Sequence, residues 1–394
     1  MNKKKIFFLF LNKLSRERLE WLSAILNHFN TQEKSFHYEI TFFLSGESLY
    51  SLLDERSSYL WSIMLKNPQI KLYIDHKELK IFGLPIKLLQ ERFSDSIILS
   101  PEDLSSDVNF WDLIIENVMK EHFDSRIGLL QNDGPYMHRT SVYSVRLMNA
   151  AINRNINTEF YGYLDGVHLG HKGQKPSEFE NISQSLLNIK YKANEKKLDF
   201  SMFSCSRCGT ARGYIRSQPI NDLYLSDDTI PHYSFCNLNK IIDQFEKHHP
   251  IISSNSAIIT FDPPNNDSIP ELTIFITHSP YTSEWTFGGL SFAIASATHH
   301  ISTQVIFLEN GVYSLIGEHH ISEKEKIFNL QEVLEAMTDL KELKFYAHAP
   351  SLEKRNIHIS NKVENVSMID NEYLANILLK NNRKGLYHKR IIFF

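Results

Sequence analysis

The sequence predicts an α/β fold made of three tandem domains, each a mainly parallel sheet flanked by helices. Apolar strand-like runs alternate along the chain with amphipathic helical patterns, which is typical of parallel sheets covered on both faces. The same order of signals appears three times. The chain has 394 residues, more than one ordinary hydrophobic core contains, so several domains are expected.

Each repeat opens with a short apolar strand, a helical pattern and a second strand that ends in a glycine turn. The helical patterns cover residues 15–29, 140–154 and 284–298. The spacing from the start of the first strand to the turn glycine is 40, 39 and 39 residues, from Ile6 to Gly46, Ile127 to Gly166 and Leu272 to Gly311. Such constant spacing favours three copies of one unit over chance.

A third strand and a closing helix complete each repeat. The third strands are predicted at residues 70–74, 198–203 and 343–346, and the closing helices at 110–118, 238–245 and 371–379. The last two repeats add final strands, which are predicted at residues 256–261 and 391–394.

These elements divide the chain into predicted domains at residues 1–124, 125–263 and 270–394. The segment 262–270 contains three prolines among polar residues and is predicted to be a linker.

Charge and apolar run lengths exclude several classes of partner. The formal net charge is −4, without the basic excess typical of direct nucleic-acid or anionic-membrane binding. The apolar run 6–11 is shorter than the core of a signal peptide and is interpreted as a first buried strand. No run reaches the roughly 18 apolar residues of a membrane span. Three cysteines do not make a disulfide framework, so a reducing, cytoplasmic location is expected.

Two of the three cysteines, Cys205 and Cys208, follow the alternating strand 198–204. A thiolate at such a strand end is stabilised by backbone N–H groups, and by arginines if they face it. The functional interpretation is a reactive thiol that accepts or donates sulfur or electrons. Two alternatives stay open: half of a zinc site, or two inert buried thiols. Zinc needs about four ligands, and only Cys236 and scattered histidines remain, so no metal or cofactor is expected.

The repeat turns the cysteine signal into a positional hypothesis. Aligning the third strands places two residues of each repeat at equivalent positions: Asp75, Cys205 and His348 at the first, and Glu78, Cys208 and Ser351 at the second. Ligand sites in parallel sheets lie beyond the carboxyl ends of the strands, where these residues are expected. The alignment therefore predicts one catalytic and two degenerate copies.

The loop 132–138 is expected beside the thiols if the sheet is wound as predicted. His138 would then donate a hydrogen bond or tune the thiolate, unless it is an ordinary exposed loop histidine. Tyr136 would either form a wall of the pocket or touch the sulfur.

These residues resemble the DsrE/DsrF-like sulfur relay family, which includes the TusB, TusC and TusD proteins, over essentially the whole chain. The middle repeat resembles TusD or DsrE through the segments 134–136 and 165–167 and through Cys205, eight residues ahead of Gly213. The third resembles TusC or DsrF through Ser-Pro-Tyr at 279–281, Gly-Gly-Leu at 288–290 and the segment 307–313. The first, at the TusB-like position, is supported by strand order and the segment 45–50.

The resemblance implies a sulfurtransferase-like persulfide carrier. Cys205 would take sulfane sulfur from a donor protein and pass it to an acceptor protein, in a relay such as tRNA thiolation or sulfur oxidation. Arg212 and Gly213 belong to the same motif and are expected to support the site. Family members assemble into hexamers, so a homodimer of this chain would supply six units.

Three questions stay open at this point. TusD-type proteins use one cysteine, so the role of Cys208 is undetermined, as is whether the chain is an enzyme or a carrier. A non-catalytic scaffold or ligand-binding protein of the same fold is the first alternative function. A thiol-disulfide oxidoreductase using both cysteines is the second.

Overall fold

The computed structural model describes residues 4–31, 38–93, 96–101, 109–120, 126–216, 218–245, 249–261, 271–363, 365–379 and 390–394. The predicted linker 262–270 lies outside the described residues, and so does the predicted boundary at residues 124 and 125.

Strands and helices alternate along much of the described chain. The strands are β1 (Lys4–Phe10), β2 (Tyr38–Leu44), β3 (Ile70–Ile74), β4 (Ile97–Leu99), β5 (Arg126–Gln131), β6 (Asn157–Gly162), β7 (Phe200–Cys205), β8 (Leu223–Tyr224), β9 (Tyr233–Cys236), β10 (Ile251–Ser253), β11 (Ser256–Phe261), β12 (Glu271–Ile276), β13 (Ser302–Phe307), β14 (Leu343–His348), β15 (Val366–Ile369) and β16 (Arg390–Phe393). The helices are α1 (Arg16–Thr31), α2 (Glu55–Met64), α3 (His76–Ile81), α4 (Ile86–Phe93), α5 (Phe110–Met119), α6 (Thr140–Asn153), α7 (Ile182–Glu195), α8 (Ser206–Ala211), α9 (Leu238–Phe245), α10 (Trp285–Thr298), α11 (Leu330–Ala336), α12 (Ala349–Arg355) and α13 (Asn371–Leu379).

The chain forms two compact units. The larger unit comprises Lys5–Arg16 and Glu39–Ile259, and the smaller unit comprises Met1–Lys4, Glu17–Tyr38 and Thr260–Phe394. Both are α/β units with mainly parallel sheets, which confirms the predicted fold class. The division into three tandem domains stays a prediction.

The larger unit contains two groups of strands. One has the order β11-β1-β2-β3-β4, and β2, β3 and β4 pair in parallel. The other has the order β10-β5-β6-β7-β9-β8, and only the short β8 is antiparallel to its neighbour. Their strands are almost entirely buried, as expected of parallel strands with helices on both faces. Stacked aromatic rings, such as Phe8 and Phe42 at 4.6 Å, fill the first core.

The smaller unit has one parallel sheet in the order β15-β14-β13-β12-β16. In both units the second strand of each predicted repeat runs into a seven-residue 3₁₀ helix. These helices are Gly46–Leu52, Leu164–Gly170 and Glu309–Leu315. They are the glycine turns that the sequence indicates.

The end of the middle predicted repeat differs from the expectation. Residues 256–261 do form a strand, β11, but β11 lies beside β1, and the strand beside β5 is the unpredicted β10. Only Ser254 and Asn255 separate β10 from β11, so two nearly consecutive strands belong to the two different groups. The Ser254 N–H donates to the Leu130 carbonyl at 2.9 Å, and the Asn255 carbonyl accepts from the Leu11 N–H at 3.1 Å.

Candidate functional site

Cys205 lies at the junction between β7 and α8. It is the last residue of β7 and the N-cap of α8, with an extended backbone at φ −62° and ψ 122°. Cys208 is the third residue of the helix and therefore comes back within reach of the N-cap side chain. The alternating pattern before the cysteines and the glycines after them predict this handover from strand to helix.

Two kinds of donor stabilise a thiolate on Cys205. A hydrogen bond from the Cys208 side chain is the larger influence, and it lowers the pKa of Cys205. Burial opposes this effect, while the backbone N–H groups of Cys208 and Arg207 and the charge of Arg207 add to it. The hydrogen bond to Cys205, together with burial, raises the pKa of Cys208 far above its ordinary range. Within the pair, Cys205 is therefore the thiol that ionises more readily, and Cys208 is the one that keeps its proton.

Both thiols are free and nearly covered. Cys205 is 3 % exposed and Cys208 is 8 % exposed. One cause is the close packing of α8 on β9, where a Cβ atom on Gly209 would lie 2.6 Å from a ring carbon of Phe235. Since a buried thiol does not react with an outside partner, a reaction at Cys205 requires α8 or its surroundings to move.

Cys236 is the third cysteine, to which the sequence analysis assigns no role. It ends β9, which pairs in parallel with β7, and the register places Cys236 directly beside Cys205. It is fully buried, and burial raises its pKa to about 12. The usable signal was the alternating segment 233–236 just before an amphipathic helical pattern, the same strand-to-helix change that marks Cys205.

Arg212 and Gly213 shape the end of α8. The Arg212 guanidinium pairs with the Asp165 carboxylate at 2.7 and 2.8 Å, which ties α8 to the 3₁₀ helix after β6. Gly213 has a φ of +79°, a left-handed conformation that glycine adopts without steric cost. The structure therefore gives Arg212 a positioning contact, and its charge reaches the thiols only as a minor influence on the pKa of Cys208.

Tyr136 and His138 line cavities rather than the thiol pair. Tyr136 adopts φ 71° and donates from its hydroxyl to Gln174 at 2.9 Å. It borders a cavity of about 350 Å³ with His168 and His171. His138 borders a second cavity, of about 410 Å³, together with Tyr136. Neither cysteine is among the residues that line these two cavities, so a supporting role for Tyr136 and His138 stays a prediction.

The turn between β3 and α3 holds a buried ion cluster at the two positions that the sequence alignment matches with Cys205 and Cys208. Asp75 is the N-cap of α3 and accepts from Ser45 Oγ at 2.8 Å. Glu78 accepts from Arg139, Tyr143 and Arg146 at 2.8, 2.8 and 2.9 Å. Burial alone would raise the pKa of Glu78, but these three hydrogen bonds outweigh burial and lower it.

At the equivalent position in β14–α12, the structure holds a histidine–serine pair. His348 is the N-cap of α12, and its Nδ1 lies 2.9 Å from Ser351 Oγ. Ser351 donates to Glu17 at 2.8 Å, and Arg355 binds both oxygens of the same carboxylate at 2.8 Å. Burial lowers the pKa of His348 and favours its neutral form.

The described residues contain neither a metal-binding cluster nor a membrane-spanning helix. No group of three or more His, Cys, Asp or Glu side chains in these ranges has the arrangement of a metal site. None of the helices in the same ranges is both long enough and apolar enough to span a bilayer.

Comparison with known proteins gives one match. Residues 271–384 match the model of the DsrE/DsrF-like family, which is associated with sulfur relay. The match lies in the predicted third domain, so it is narrower than the whole-chain resemblance that the motifs suggested, and it does not include the cysteines. No curated protein matches the chain.

Proposed function

We propose that this protein is a persulfide carrier of a sulfur relay, with Cys205 as the residue that bears the sulfur. The observation that carries the proposal is the position of Cys205 at the end of β7 and the start of α8, where Cys208 and two backbone N–H groups lower the pKa of its thiol. A lowered thiol pKa increases the fraction of the nucleophilic form at neutral pH. The DsrE/DsrF-like match elsewhere in the chain supports the same theme.

The transfer consists of two thiol exchange steps. The Cys205 thiolate attacks the terminal sulfur of a donor persulfide, the sulfur–sulfur bond of the donor breaks, and the donor leaves as a thiolate. Cys205 then carries a persulfide. A cysteine thiolate of an acceptor protein attacks the terminal sulfur of Cys205 and restores the Cys205 thiolate. Because Cys205 is buried, the donor must first displace α8 or the 3₁₀ helix Leu164–Gly170 that packs against α8.

The proposal includes a specific organisation of the chain. The three predicted domains would be TusBCD-type units, of which only the middle one transfers sulfur. The N-cap positions of α3, α8 and α12 support this idea, because one is a thiolate while the other two are Asp75 and His348. A homodimer would supply six units, and a cytoplasmic relay towards tRNA thiolation is the proposed context. The partners would be donor and acceptor proteins, without direct nucleic-acid contact.

Intact-protein mass spectrometry after incubation with glutathione persulfide tests the carrier function. Soon after mixing, the native chain and Cys208→Ser should each carry about one added sulfur atom, and Cys205→Ser should carry none. Equal loss in Cys205→Ser and Cys208→Ser would instead indicate a coupled oxidoreductase pair.

Deep burial of the thiols favours a second candidate, a ligand-binding protein of the same fold. The cavity of about 410 Å³ is lined by Tyr136, Met137 and Phe179 together with polar and charged side chains, and it has the size of a small-molecule site. If no form of the protein gains sulfur, this candidate replaces the carrier.

A further inference from the structure

We propose that Cys236 is the resolving thiol of the Cys205 persulfide, so that the protein releases sulfide and closes a Cys205–Cys236 disulfide. This inference rests on the proposed persulfide on Cys205. It gives the third cysteine a chemical role and adds a second outcome to simple sulfur transfer.

The register brings the two sulfur-bearing residues together. Cys205 and Cys236 are paired Cα partners on the parallel strands β7 and β9. Neighbouring strands lie about 4.8 Å apart, and a disulfide accommodates Cα separations of about 4.4–6.8 Å. Since paired residues of in-register parallel strands point to the same face of the sheet, the two side chains share one side and can bond without a change of register.

The residues that follow the two cysteines hold the strand ends side by side. Ser206 Oγ donates to Asn237 Oδ1 at 3.0 Å, directly after Cys205 and Cys236 respectively. The Ser204 hydroxyl, one position before Cys205 on β7, is hydrogen bonded at 2.5 Å to the hydroxyl of Tyr233, three positions before Cys236 on β9. These two contacts hold β7 and β9 together before and after the cysteines. A disulfide between Cys205 and Cys236 would therefore form between strand ends that are already fixed.

Burial assigns Cys236 an internal role. It is fully buried at the end of β9, so the cysteine of another protein has less access to it than to Cys205. Burial also keeps it protonated, since its pKa is raised, while the Lys240 ammonium opposes that effect. A protonated thiol beside a Cys205 thiolate does not compete for the donor persulfide. It becomes a nucleophile only when it loses its proton in the second step.

The step balances without an outside oxidant. Cys236 sulfur attacks the Cys205 sulfur, the bond between the two sulfurs of the persulfide breaks, and the terminal sulfur leaves as hydrosulfide. The proton of Cys236 goes to the hydrosulfide, giving hydrogen sulfide. The persulfide sulfur is reduced and the two cysteines are oxidised to a disulfide. A dithiol reductant then supplies the two electrons that restore both thiols.

Cys208 is the competing resolving thiol, and tryptic peptides separate the two. Cleavage after Lys197, Arg207, Arg212, Arg216 and Lys240 places the three cysteines on three different peptides. A Cys205–Cys236 disulfide therefore joins the segments 198–207 and 217–240, and a Cys205–Cys208 disulfide joins 198–207 to 208–212.

The test loads the reduced full chain with glutathione persulfide, removes the excess by desalting, and follows the sulfide released and the peptide cross-links without reductant. We expect about one sulfide per chain and a cross-link between the segments that hold Cys205 and Cys236. Cys208→Ser should show both. Cys236→Ser should keep its sulfur on Cys205 and release sulfide at least about tenfold more slowly.

Three results would overturn the proposal. A cross-link from Cys205 to Cys208, or sulfide release from Cys236→Ser at the native rate, would show that Cys236 is not the resolving thiol although the carrier function stands. If neither labile sulfur nor released sulfide is found for the native chain or for Cys236→Ser, the carrier function and this inference are overturned together. The cross-link map of the native chain needs no variant, so a misfolded Cys236→Ser would not prevent the decision.

Discussion

The turn after β7 and the turn after β14 share one backbone plan and hold different chemistry. Their N-cap residues, Cys205 and His348, have φ/ψ angles of −62°/122° and −74°/108°. In both turns the N-cap side chain is hydrogen bonded to the side chain of the third helical residue, Cys208 or Ser351. The first turn stabilises an anion on its N-cap residue, whereas the second keeps a neutral imidazole.

The difference arises from where the proton of the third residue goes. Cys208 donates to Cys205 and so stabilises the thiolate. Ser351 has one proton and gives it to the Glu17 carboxylate, which can only accept, so Ser351 has no proton left to donate to the His348 ring. Two turns of the same shape therefore differ in function: the N-cap residue is stabilised as a nucleophile only when the third helical residue donates its proton to it and not to a carboxylate. This contrast gives four predictions.

Exchanging the side chains of the two turns should have the largest effect. The double variant Cys205→His/Cys208→Ser should lose sulfur loading completely. The reciprocal variant His348→Cys/Ser351→Cys should gain none on its new thiols, because the Glu17 carboxylate beside position 351 disfavours a second negative charge. Peptide mapping after persulfide treatment measures both. Sulfur on position 348 would show that the shape of the turn is sufficient.

Removing the Ser351 hydroxyl should destabilise the protein by roughly 1–3 kcal/mol, the usual cost of leaving buried polar groups without a partner. Ser351→Ala removes the hydroxyl that accepts from the Glu309 N–H at 2.9 Å and that lies 2.9 Å from His348 Nδ1. Urea unfolding measures the loss, with the exposed Ser367→Ala as the control. An equal and small change in both variants would contradict the importance of this hydrogen bond network.

Removing the Cys208 donor should raise the pKa of Cys205 towards its ordinary value. In Cys208→Ala the thiolate loses its principal hydrogen bond, so at neutral pH the alkylation rate of Cys205 should fall several-fold and its pH profile should move upward. Cys208→Ser keeps an O–H donor and should lie between the native protein and Cys208→Ala. The iodoacetamide reaction, followed on the segment 198–207 by mass spectrometry, gives the profiles. Identical profiles for all three proteins would assign the stabilisation to the backbone N–H groups.

Breaking the Arg212–Asp165 pair should have the smallest effect. Asp165 is largely exposed, and exposed ion pairs contribute about 0–1 kcal/mol. Arg212→Gln should therefore change the urea midpoint only slightly and leave sulfur loading on Cys205 intact. Arg216→Gln, which breaks the exposed pair with Asp228 at 2.9 Å, is the matched control. Loss of loading in Arg212→Gln alone would mean that this guanidinium contacts the transferred sulfur.

Local patterns in the sequence predicted much of this fold. Short apolar runs located β1 and β5, the alternating run located β7, and the helical patterns located α1, α6 and α10 to within about two residues. These signals depend on neighbouring residues in the chain, so they are readable without the structure. The strand-to-helix position of Cys205 follows from the same kind of evidence.

Long-range pairing could not be predicted in the same way. The strand beside β7 is β9, and although the alternation of residues 233–236 marks a strand, it does not say which strand pairs with it, so the position of Cys236 next to Cys205 was not predictable. The choice of β1 as the neighbour of β11 depends on tertiary packing. Tyr136 adopts a left-handed φ of 71°, which a local pattern does not indicate and which helps to set where the loop side chains point.

The short junction between β10 and β11 also has a mechanical meaning. A pulling force that strips β10 from β5 is transmitted through Ser254 and Asn255 to β11, with almost no slack between the two strands. Because the force reaches both groups of strands together, the larger unit should unfold in a single event under tension. A flexible insertion between Ser254 and Asn255 would divide that event into two.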